Sequence, residues 1–237
     1  MQHKHGHFAS PSTAASYAVN TRNKVPGLDD LHRMVMLLLA EQAPESAHIL
    51  VVGAGGGMET RAMAEAQAGW RFTGVDPSTA MLDAARKTLE HIGNRVDLIE
   101  GTVDQAPSGP FDGATCLLMM HHLDKGERLH TLRETHRRLK PGAHLVMLEH
   151  SAPGPDPLLW MTRSVLFGDR SGIGWEQAEA AAKTMSAHLS LLSPSDEEDA
   201  LRAAGFDNVQ MFYAAFSFRG WVARASRSLP SLTSDPG

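Results

Sequence analysis

The sequence predicts an α/β fold in which a mostly parallel sheet carries helices on both faces. Short apolar runs alternate along the chain with longer stretches whose apolar residues recur at helical spacing, which is typical of strand and helix units. A glycine-rich loop directly follows the first such run, as at the carboxyl end of a strand in these folds. The 237 residues, of which 42% are hydrophobic, suffice for one domain with a modest insertion.

The first predicted element is a helix that follows the Pro26-Gly27 turn and is capped by Asp29 or Asp30. Its apolar stripe consists of Leu31, Met34, Val35, Leu38 and Leu39. Strands are then predicted near residues 48–52, 71–75, 96–99, 113–118 and 144–149, and helices near 59–68, 79–91 and 125–139. This order is the alternation that a parallel sheet with crossover helices requires.

The alternation ends at residues 153–194, which hold four prolines and two tryptophans and are predicted to form one or two helices of an inserted cap. A helix near 195–204, stopped by Gly205, and a closing antiparallel hairpin near 208–213 and 216–223 complete the series. The predicted domain covers residues 29–225, between a flexible N-terminal segment, 1–28, and a flexible tail, 226–237. His3, His5 and His7 alternate in the first segment, but a mobile terminus lacks the geometry of a metal site, and we predict no metal.

Charge and composition restrict the kind of partner. The net charge of −5 and the sequence pI near 6.2 disfavour binding to nucleic acid or to an anionic membrane surface. Apolar runs such as 34–40 and 116–120 are far shorter than the roughly 20 residues that span a bilayer. The single cysteine excludes an intramolecular disulfide, and the start of the chain lacks the pattern of a signal peptide. We expect a cytoplasmic protein with a small-molecule substrate, and a homodimer is one possible state.

The strongest signal is the stretch Ile49-Leu50-Val51-Val52, followed by Gly53-Ala54-Gly55-Gly56-Gly57. Glycines at the carboxyl end of a strand let the backbone approach a ligand closely. The dinucleotide-binding motif requires a glycine at position 58, where this chain has Met58, so an NAD-dependent dehydrogenase is disfavoured. The glycine spacing is better suited to a cofactor without phosphate.

Asp76 ends the second predicted strand, about twenty residues after the glycine loop. A carboxylate at this point can accept hydrogen bonds from both hydroxyls of a ribose and would repel a phosphorylated one. The alternative is that Asp76 only caps the helix that follows Pro77 and Ser78. The adjacent glycine loop favours the ribose-binding role.

Together these motifs resemble those of the class I S-adenosylmethionine-dependent methyltransferases. The glycine loop is similar to their first motif, Val75-Asp76 to the second, residues 113–123 to the fourth, and Leu139-Lys140-Pro141-Gly142 to the fifth. The resemblance covers residues 29–223 and implies a Rossmann-like fold, S-adenosyl-L-methionine as the cofactor and methyl transfer as the activity. The cofactor-binding residues that it implies are Gly53, Ala54, Gly55, Gly57, Asp76, Pro77, Met81, Thr102, Val103 and Leu118.

The chain departs from the superfamily's pattern at two places. Val51 stands where an acidic residue is usual, two places before the first glycine, so the ammonium group of the cofactor must rely on carbonyl groups around Gly53 and on other groups. Thr102 stands after Gly101 where an aspartate is usual. Thr102 or Asp104 could still contact the adenine amine, and each could equally be an ordinary loop residue.

Two further stretches, Val25-Pro26-Gly27 and Phe216-Ser217-Phe218, are similar to the carboxy-S-adenosylmethionine synthase branch, whose members modify the cofactor itself. The chain departs from that branch at Leu28, where an aromatic residue is expected, and at 180–183, where the arginine that binds the extra carboxylate has no clear counterpart. A methyltransferase acting on a small molecule is therefore the first hypothesis. A cofactor-modifying enzyme and a non-catalytic S-adenosylmethionine-binding module are the alternatives.

The candidate catalytic residues are histidines. Methyl transfer from a sulfonium chiefly requires the acceptor to be held in line, and a general base is needed only where the acceptor loses a proton. His121 and His122, at the end of the fourth strand, are the candidate bases, and His150, after the fifth, is a rival. The alternative is that these histidines orient a loop or pack in the core. Glu149 could instead receive a substrate amine or hydroxyl.

The candidate substrate-binding residues are Arg170 and Trp175 of the predicted cap and Tyr213 of the closing hairpin. Aromatic side chains with nearby arginines would suit a planar or amphipathic anion. The alternative for Trp175 is a core anchor, because tryptophans at helical spacing more often pack inside a protein.

Overall fold

The computed structural model describes residues 19–226. The predictions for His3, His5 and His7 and for the tail after residue 226 concern residues outside this range. The helices are α1 (Leu28–Ala40), α2 (Met58–Ala66), α3 (Thr79–Thr88), α4 (Lys125–Arg138), α5 (Pro157–Gly168), α6 (Trp175–His188) and α7 (Pro194–Ala203). The strands are β1 (His48–Val52), β2 (Arg71–Asp76), β3 (Val96–Glu100), β4 (Phe111–Leu117), β5 (Leu139–His150), β6 (Phe206–Ala215) and β7 (Phe218–Ala225).

The strands form one seven-stranded sheet in the order β3-β2-β1-β4-β5-β7-β6. The first five in this order are parallel, whereas β7 pairs antiparallel with both β5 and β6. Val52, the last residue of β1, is in register with Val75 of β2 and Cys116 of β4, so these three strands end at the same edge. The predicted fold class is confirmed: a mostly parallel α/β sheet with a closing antiparallel hairpin.

Apolar side chains of β1 enter cores on both faces of the sheet. Ile49 and Val51 are buried with side chains of α1, α2 and α3. Leu50 and Val52 are buried on the other face, with Leu132 of α4 and Leu201 of α7. A continuous apolar strand such as β1 is the pattern expected for a parallel strand covered on both faces.

The beginning of α1 differs from the sequence prediction. Gly27 caps this helix in the left-handed conformation, with φ 63°, and no side chain caps it, so Asp29 and Asp30 lie inside the first turn. A glycine adopts this conformation without steric strain, which lets the Pro26-Gly27 turn begin the helix directly. Met34, which the predicted stripe included, is 40% exposed. The buried stripe is instead Leu28, Leu31, His32, Val35 and Leu39.

The end of the predicted flexible segment is ordered in the structure. Residues 19–24 are helical, and Val25 and Leu28 are almost completely buried. The hydroxyl of Tyr213 on β6 donates a hydrogen bond to the carbonyl oxygen of Pro26 at 2.6 Å. This contact ties the turn before α1 to the closing hairpin, 187 residues further along the chain, which local sequence patterns could not indicate.

The closing hairpin and the proposed cap meet at one turn. Phe216, predicted to begin the last strand, lies in the turn between β6 and β7 with φ 51°. The adjacent Ser217 is fully buried and hydrogen-bonds to Ser164 of α5, with 2.7 Å between the two hydroxyl oxygens. Residues 153–194 form the two helices α5 and α6, which pack on each other beside this turn. Among residues 19–226, none of the helices is both long and apolar enough to span a bilayer.

Candidate functional site

The glycine loop connects β1 to α2 through three left-handed glycines. Gly53, Gly55 and Gly57 have φ values of 77°, 51° and 79°, which other residues rarely adopt. The N–H groups of Gly53 and Ala54 both donate to the carbonyl oxygen of Val75, at 2.9 Å each. A Cβ atom on Gly53 would lie within 2.9 Å of the Met119 side chain. Both the backbone conformation and this close packing therefore require glycine at position 53.

Asp76 joins the glycine loop to the end of β2. Its carboxylate accepts hydrogen bonds from the N–H of Gly55 at 2.8 Å and from the N–H of Ser78 at 2.9 Å. The cap of α3 is Ser78, whose hydroxyl accepts from the N–H of Met81 at 3.3 Å. Asp76 therefore holds the turn before α3 without being its cap. It is 8% exposed and lines a cleft at the carboxyl edge of the sheet.

Two clefts at this edge share residues of the glycine loop in their lining. The Asp76 cleft is lined by Asp76 together with Pro77, Ser78, Met81, Met119, His122 and Leu123. The Glu59 cleft is lined by Glu59 together with Thr21, Leu28, Leu31, His32, Ala54, Gly56, Met58 and Leu148. Both clefts are also lined by Gly53, Gly55, Leu117 and Leu118. A ligand lying across these four residues would reach into both.

The residues that the resemblance implied for the cofactor fall into two groups. Seven line one or both clefts: Gly53, Ala54, Gly55, Asp76, Pro77, Met81 and Leu118. Gly57 lies behind them as the cap of α2. Thr102 and Val103 line neither cleft, because Thr102 caps the short helical turn Val103–Gln105 and the Val103 side chain is buried in the core.

The three candidate histidines form a cluster with very different exposure. The ring of His121 lies 4.4 Å from that of His122 and 5.2 Å from that of His150. His121 accepts a hydrogen bond from the backbone N–H of His150 through its Nδ1 atom, at 3.3 Å. The ring of His150 hydrogen-bonds to Ser217 and stacks on Phe218, with 4.0 Å between ring centroids. Of the three, His122 is the exposed one, and it lines the Asp76 cleft.

Burial determines the charge of the two inner histidines. It lowers the pKa of His150 to about 3 and holds the pKa of His121 well below its usual value. Desolvation is the largest cause in both, and neighbouring positive groups add to it. His121 and His150 are therefore neutral near pH 7 and weak as bases.

Glu149 is not available to a substrate. It is fully buried on β5 and pairs with the guanidinium of Arg128 on α4, at 3.1 Å. Glu197 of α7 contacts the same guanidinium, which also donates to the carbonyl oxygens of Met120 and Ser190, at 3.0 and 2.6 Å. Burial and the nearby Glu197 raise the pKa of Glu149 well above its usual value. We call this buried group, Arg128 with Glu149 and Glu197, the Arg128 cluster.

Glu59, in the first turn of α2, is a site residue that the sequence analysis missed. It is 8% exposed, and its carboxylate accepts a hydrogen bond from the hydroxyl of Thr115 on β4 at 2.5 Å. Burial raises its pKa from 4.5 to about 8, opposed only by this hydrogen bond. Its position so soon after the glycine loop was a signal, because the first turn of the helix lies beside the ligand-binding edge.

The candidate substrate residues lie apart from the clefts. Trp175 begins α6 and is 49% exposed, so the alternative that it is a core anchor is wrong. Arg170 is also exposed, with its guanidinium 5.7 Å from the centre of the Phe167 ring. The Tyr213 hydroxyl is engaged by Pro26. None of these three side chains lines the Asp76 cleft or the Glu59 cleft.

The clefts are suited to a ligand that carries hydroxyl groups and positive charge. Two carboxyl groups, those of Asp76 and Glu59, line them, and among residues 19–226 no lysine or arginine does. A phosphorylated ligand would meet the Asp76 carboxylate with no basic side chain to offset its charge. Within the same residues, no group of three or more histidines, cysteines or carboxylates is arranged to hold a metal ion. S-adenosyl-L-methionine has the required groups: ribose hydroxyls, a sulfonium and an ammonium.

Comparisons with known proteins agree with this assignment. Residues 49–142 match the family model described as a methyltransferase domain. A ubiquinone biosynthesis O-methyltransferase from Pseudomonas paraeruginosa is 36% identical over 102 residues, which span 42% of this chain and 42% of that protein. A carboxy-S-adenosyl-L-methionine synthase from Chromohalobacter salexigens is 25% identical over 209 residues, 85% of this chain and 77% of the relative.

The fold is also that of solved methyltransferase structures. A candidate O-methyltransferase from Nostoc punctiforme superposes with a TM-score of 0.65 at 18% identity, over 90% of this chain and 59% of that one. The sheet order and the glycine loop with Asp76 at the carboxyl edge agree with the family match. Residues 49–142 match a methyltransferase domain, and S-adenosyl-L-methionine is the cofactor that this match implies.

Proposed function

We propose that the protein transfers a methyl group from S-adenosyl-L-methionine to a small-molecule acceptor. The observation that carries this proposal is the Asp76 cleft, which brings together the glycine loop, a carboxylate suited to ribose hydroxyls and an exposed histidine, His122. The Asp76 carboxylate and the His122 imidazole, which can accept a proton, thus line the same cleft. The net charge of −5 argues for a small acceptor over nucleic acid.

The chain's contribution to the chemistry is mainly positioning. The sulfonium of the cofactor supplies an activated methyl group, because its displacement leaves a neutral thioether. The protein then has to hold the acceptor atom in line at about 3 Å and keep water away. Where the acceptor loses a proton, we assign the general base to His122, because it is exposed and lines the Asp76 cleft, whereas His121 and His150 are buried.

The acceptor that suits these walls is uncharged and partly apolar. Leu117, Leu118, Met119 and Leu123 line the clefts near His122, and no basic side chain among residues 19–226 lines them. An anionic acceptor would lack a partner there. The Pseudomonas relative is named for ubiquinone biosynthesis, and an apolar aromatic acceptor would suit the same walls.

Residues 153–194 act on this site through their backbone. The N–H of Ser190, after α6, donates to the carbonyl oxygen of His121 at 2.8 Å, and Arg128 binds the Ser190 carbonyl. The segment thereby supports the loop that carries His122. Arg170, Trp175 and Tyr213 remain candidates for an acceptor that extends beyond the two clefts.

A cofactor-modifying activity is the second candidate, because the synthase from Chromohalobacter salexigens aligns over most of this chain. That activity requires a group that binds an extra carboxylate. Residues 180–183 lie on α6, and Lys183 there forms an ion pair with Glu179 at 2.6 Å. No lysine or arginine of residues 19–226 lines either cleft, which favours methyl transfer.

The test is to incubate the protein with S-adenosylmethionine carrying an isotopically labelled methyl group and a fraction of small metabolites, and to follow the label by mass spectrometry. The proposal expects the label in a new methylated compound, together with S-adenosylhomocysteine. At a cofactor concentration that does not saturate the wild type, the Asp76→Ala variant should form much less of both products. Label retained in an altered S-adenosylmethionine would support the cofactor-modifying activity instead, and cofactor binding without any product would leave a non-catalytic module.

A further inference from the structure

The Glu59 cleft holds a buried carboxyl group that forms no ion pair among residues 19–226. Its one hydrogen bond within these residues comes from Thr115, and His32, which also lines the cleft, has its pKa lowered by burial to about 4 and is neutral near pH 7. Burying a carboxylate without a cation is costly, and proteins usually pair or neutralise such groups. A positively charged group of a bound ligand would therefore stabilise the Glu59 carboxylate.

The cleft gives such a ligand access to Glu59. The residue lines the same cleft as Gly53, Gly55 and Leu117, which also line the Asp76 cleft. Thr115, which orients the carboxyl group, is in register with Val51 of β1, two places before the first glycine of the loop. The carboxyl group of Glu59 thus lies against the strand pair that leads into the glycine loop.

The two carboxyl groups line two clefts that share residues of the glycine loop. Asp76 lines one cleft and Glu59 the other, with Gly53 and Gly55 shared between them. A ligand with ribose hydroxyls at Asp76 and its other end across the glycines would bring that end to Glu59. In S-adenosyl-L-methionine the other end is the amino acid, with an ammonium group.

We propose that Glu59 binds the ammonium group of the methionine part of S-adenosyl-L-methionine. Val51, which stands where an acidic residue is usual, has no charge with which to bind this ammonium group. This inference rests on the cofactor assignment and is independent of the acceptor. Because burial raises the pKa of Glu59 to about 8, the group is mostly protonated at pH 7 before the ligand binds. Pairing with an ammonium favours the carboxylate, so binding should release about one proton at pH 7.

The test compares two ligands that differ at the amino acid end. S-adenosylhomocysteine carries the ammonium, whereas 5′-methylthioadenosine has the same adenosine and thioether without the amino acid. Calorimetry at pH 7 in buffers of different ionisation enthalpy gives both the affinity and the number of protons released. The variant is Glu59→Gln, which keeps the size of the side chain. The control is Glu65→Gln on the same helix, an exposed residue paired with Arg61 and His91.

We expect Glu59→Gln to lower the affinity for S-adenosylhomocysteine by about tenfold or more and to abolish the proton release, because a hydrogen bond to a charged group is lost. Its affinity for 5′-methylthioadenosine should stay within about twofold of the wild type, and Glu65→Gln should match the wild type for both ligands. Thr115→Val, which removes the orienting hydroxyl, should lower the affinity for S-adenosylhomocysteine by less than Glu59→Gln does. It should leave the affinity for 5′-methylthioadenosine unchanged.

Two results would overturn the proposal while leaving the cofactor assignment intact. One is unchanged affinity of Glu59→Gln for S-adenosylhomocysteine. The other is an equal loss for both ligands, which would mean that Glu59 supports the shape of the glycine loop without contacting the amino acid. A wild-type protein that bound neither compound would overturn the cofactor assignment together with this inference.

Discussion

Two buried acidic groups of this protein differ in where their positive partner comes from. In the Arg128 cluster, Glu149 and Glu197 share a guanidinium that also binds two backbone carbonyl groups, so the positive partner of both carboxyl groups is a residue of the chain. Among residues 19–226, the one hydrogen-bond partner of the Glu59 carboxyl group is the Thr115 hydroxyl, and Glu59 lines a cleft. A buried carboxyl group whose positive partner is a residue of the chain is part of the fold, whereas Glu59, which lines a cleft, is placed to receive its positive partner from a ligand.

The histidines show the same division at the end of β4. His121 and His150 are buried and bound to other groups of the chain, whereas His122 lies in the Asp76 cleft. The inner pair therefore maintains the shape of the site, and His122 is the one that can meet an acceptor. Substitutions on the two sides of this division should affect different quantities, namely folding on one side and ligand binding or turnover on the other.

The largest effect on stability is expected at the Arg128 cluster. Arg128→Met leaves two buried carboxyl groups without their cation, which should lower the free energy of unfolding by about 3–5 kcal/mol. Urea denaturation of the protein without ligand measures this. Arg133→Met, an exposed arginine on the same helix, is the control and should change stability by less than about 0.5 kcal/mol. Equal losses of stability in the two variants would mean that the Arg128 cluster does not stabilise the fold.

His122→Gln should instead affect turnover. For an acceptor that loses a proton, loss of the general base is expected to lower kcat by about a hundredfold, with the melting temperature nearly unchanged because the side chain is exposed. Steady-state kinetics and thermal unfolding of one preparation measure both. His130→Gln, an exposed histidine on α4, should keep the wild-type kcat. Wild-type turnover by His122→Gln would leave positioning as the whole mechanism.

A smaller effect, in pH dependence, separates Glu59 from the Arg128 cluster. Because the folded-state pKa of Glu59, about 8, is above its ordinary value of 4.5, its protonated form favours the fold, and this stabilisation is lost as the pH rises from 4.5 to 8. Glu59→Gln removes that dependence. Without ligand it should match the wild type at pH 5 and exceed its free energy of unfolding above pH 8. A variant less stable than the wild type at pH 8.5 would contradict this.

The sequence predicted those parts of the molecule whose signals are local. The glycine loop and Asp76 were found because strand, loop and carboxylate follow one another within residues 49–76 and each residue type has a conformational or chemical reason. The alternation of apolar runs with stretches of helical spacing predicted the sheet and its helices. The boundaries that it misplaced, such as the start of α1 at Gly27, depended on a single backbone conformation.

The missed residues depend on contacts between distant parts of the chain. Glu59 meets Thr115 across 56 positions, and Arg128 meets Glu197 across 69. Neither pair has a spacing or a motif that a single sequence would display. The different environments of His121 and His122 also come from the fold, because His121 is covered by β5 and the chain after α6, whereas its neighbour faces the cleft.

The most direct test of the account is calorimetric titration of S-adenosylhomocysteine into the wild-type protein, Asp76→Ala and Asp83→Ala, the last an exposed aspartate on α3 paired with Arg86. We predict that the wild type and Asp83→Ala bind S-adenosylhomocysteine with equal affinity. Asp76→Ala, shown to be folded by circular dichroism, should bind more weakly by about 1.5–3 kcal/mol, or roughly 10- to 150-fold, because it loses hydrogen bonds to a charged acceptor. Unchanged affinity in Asp76→Ala, or no binding by the wild type, would contradict it.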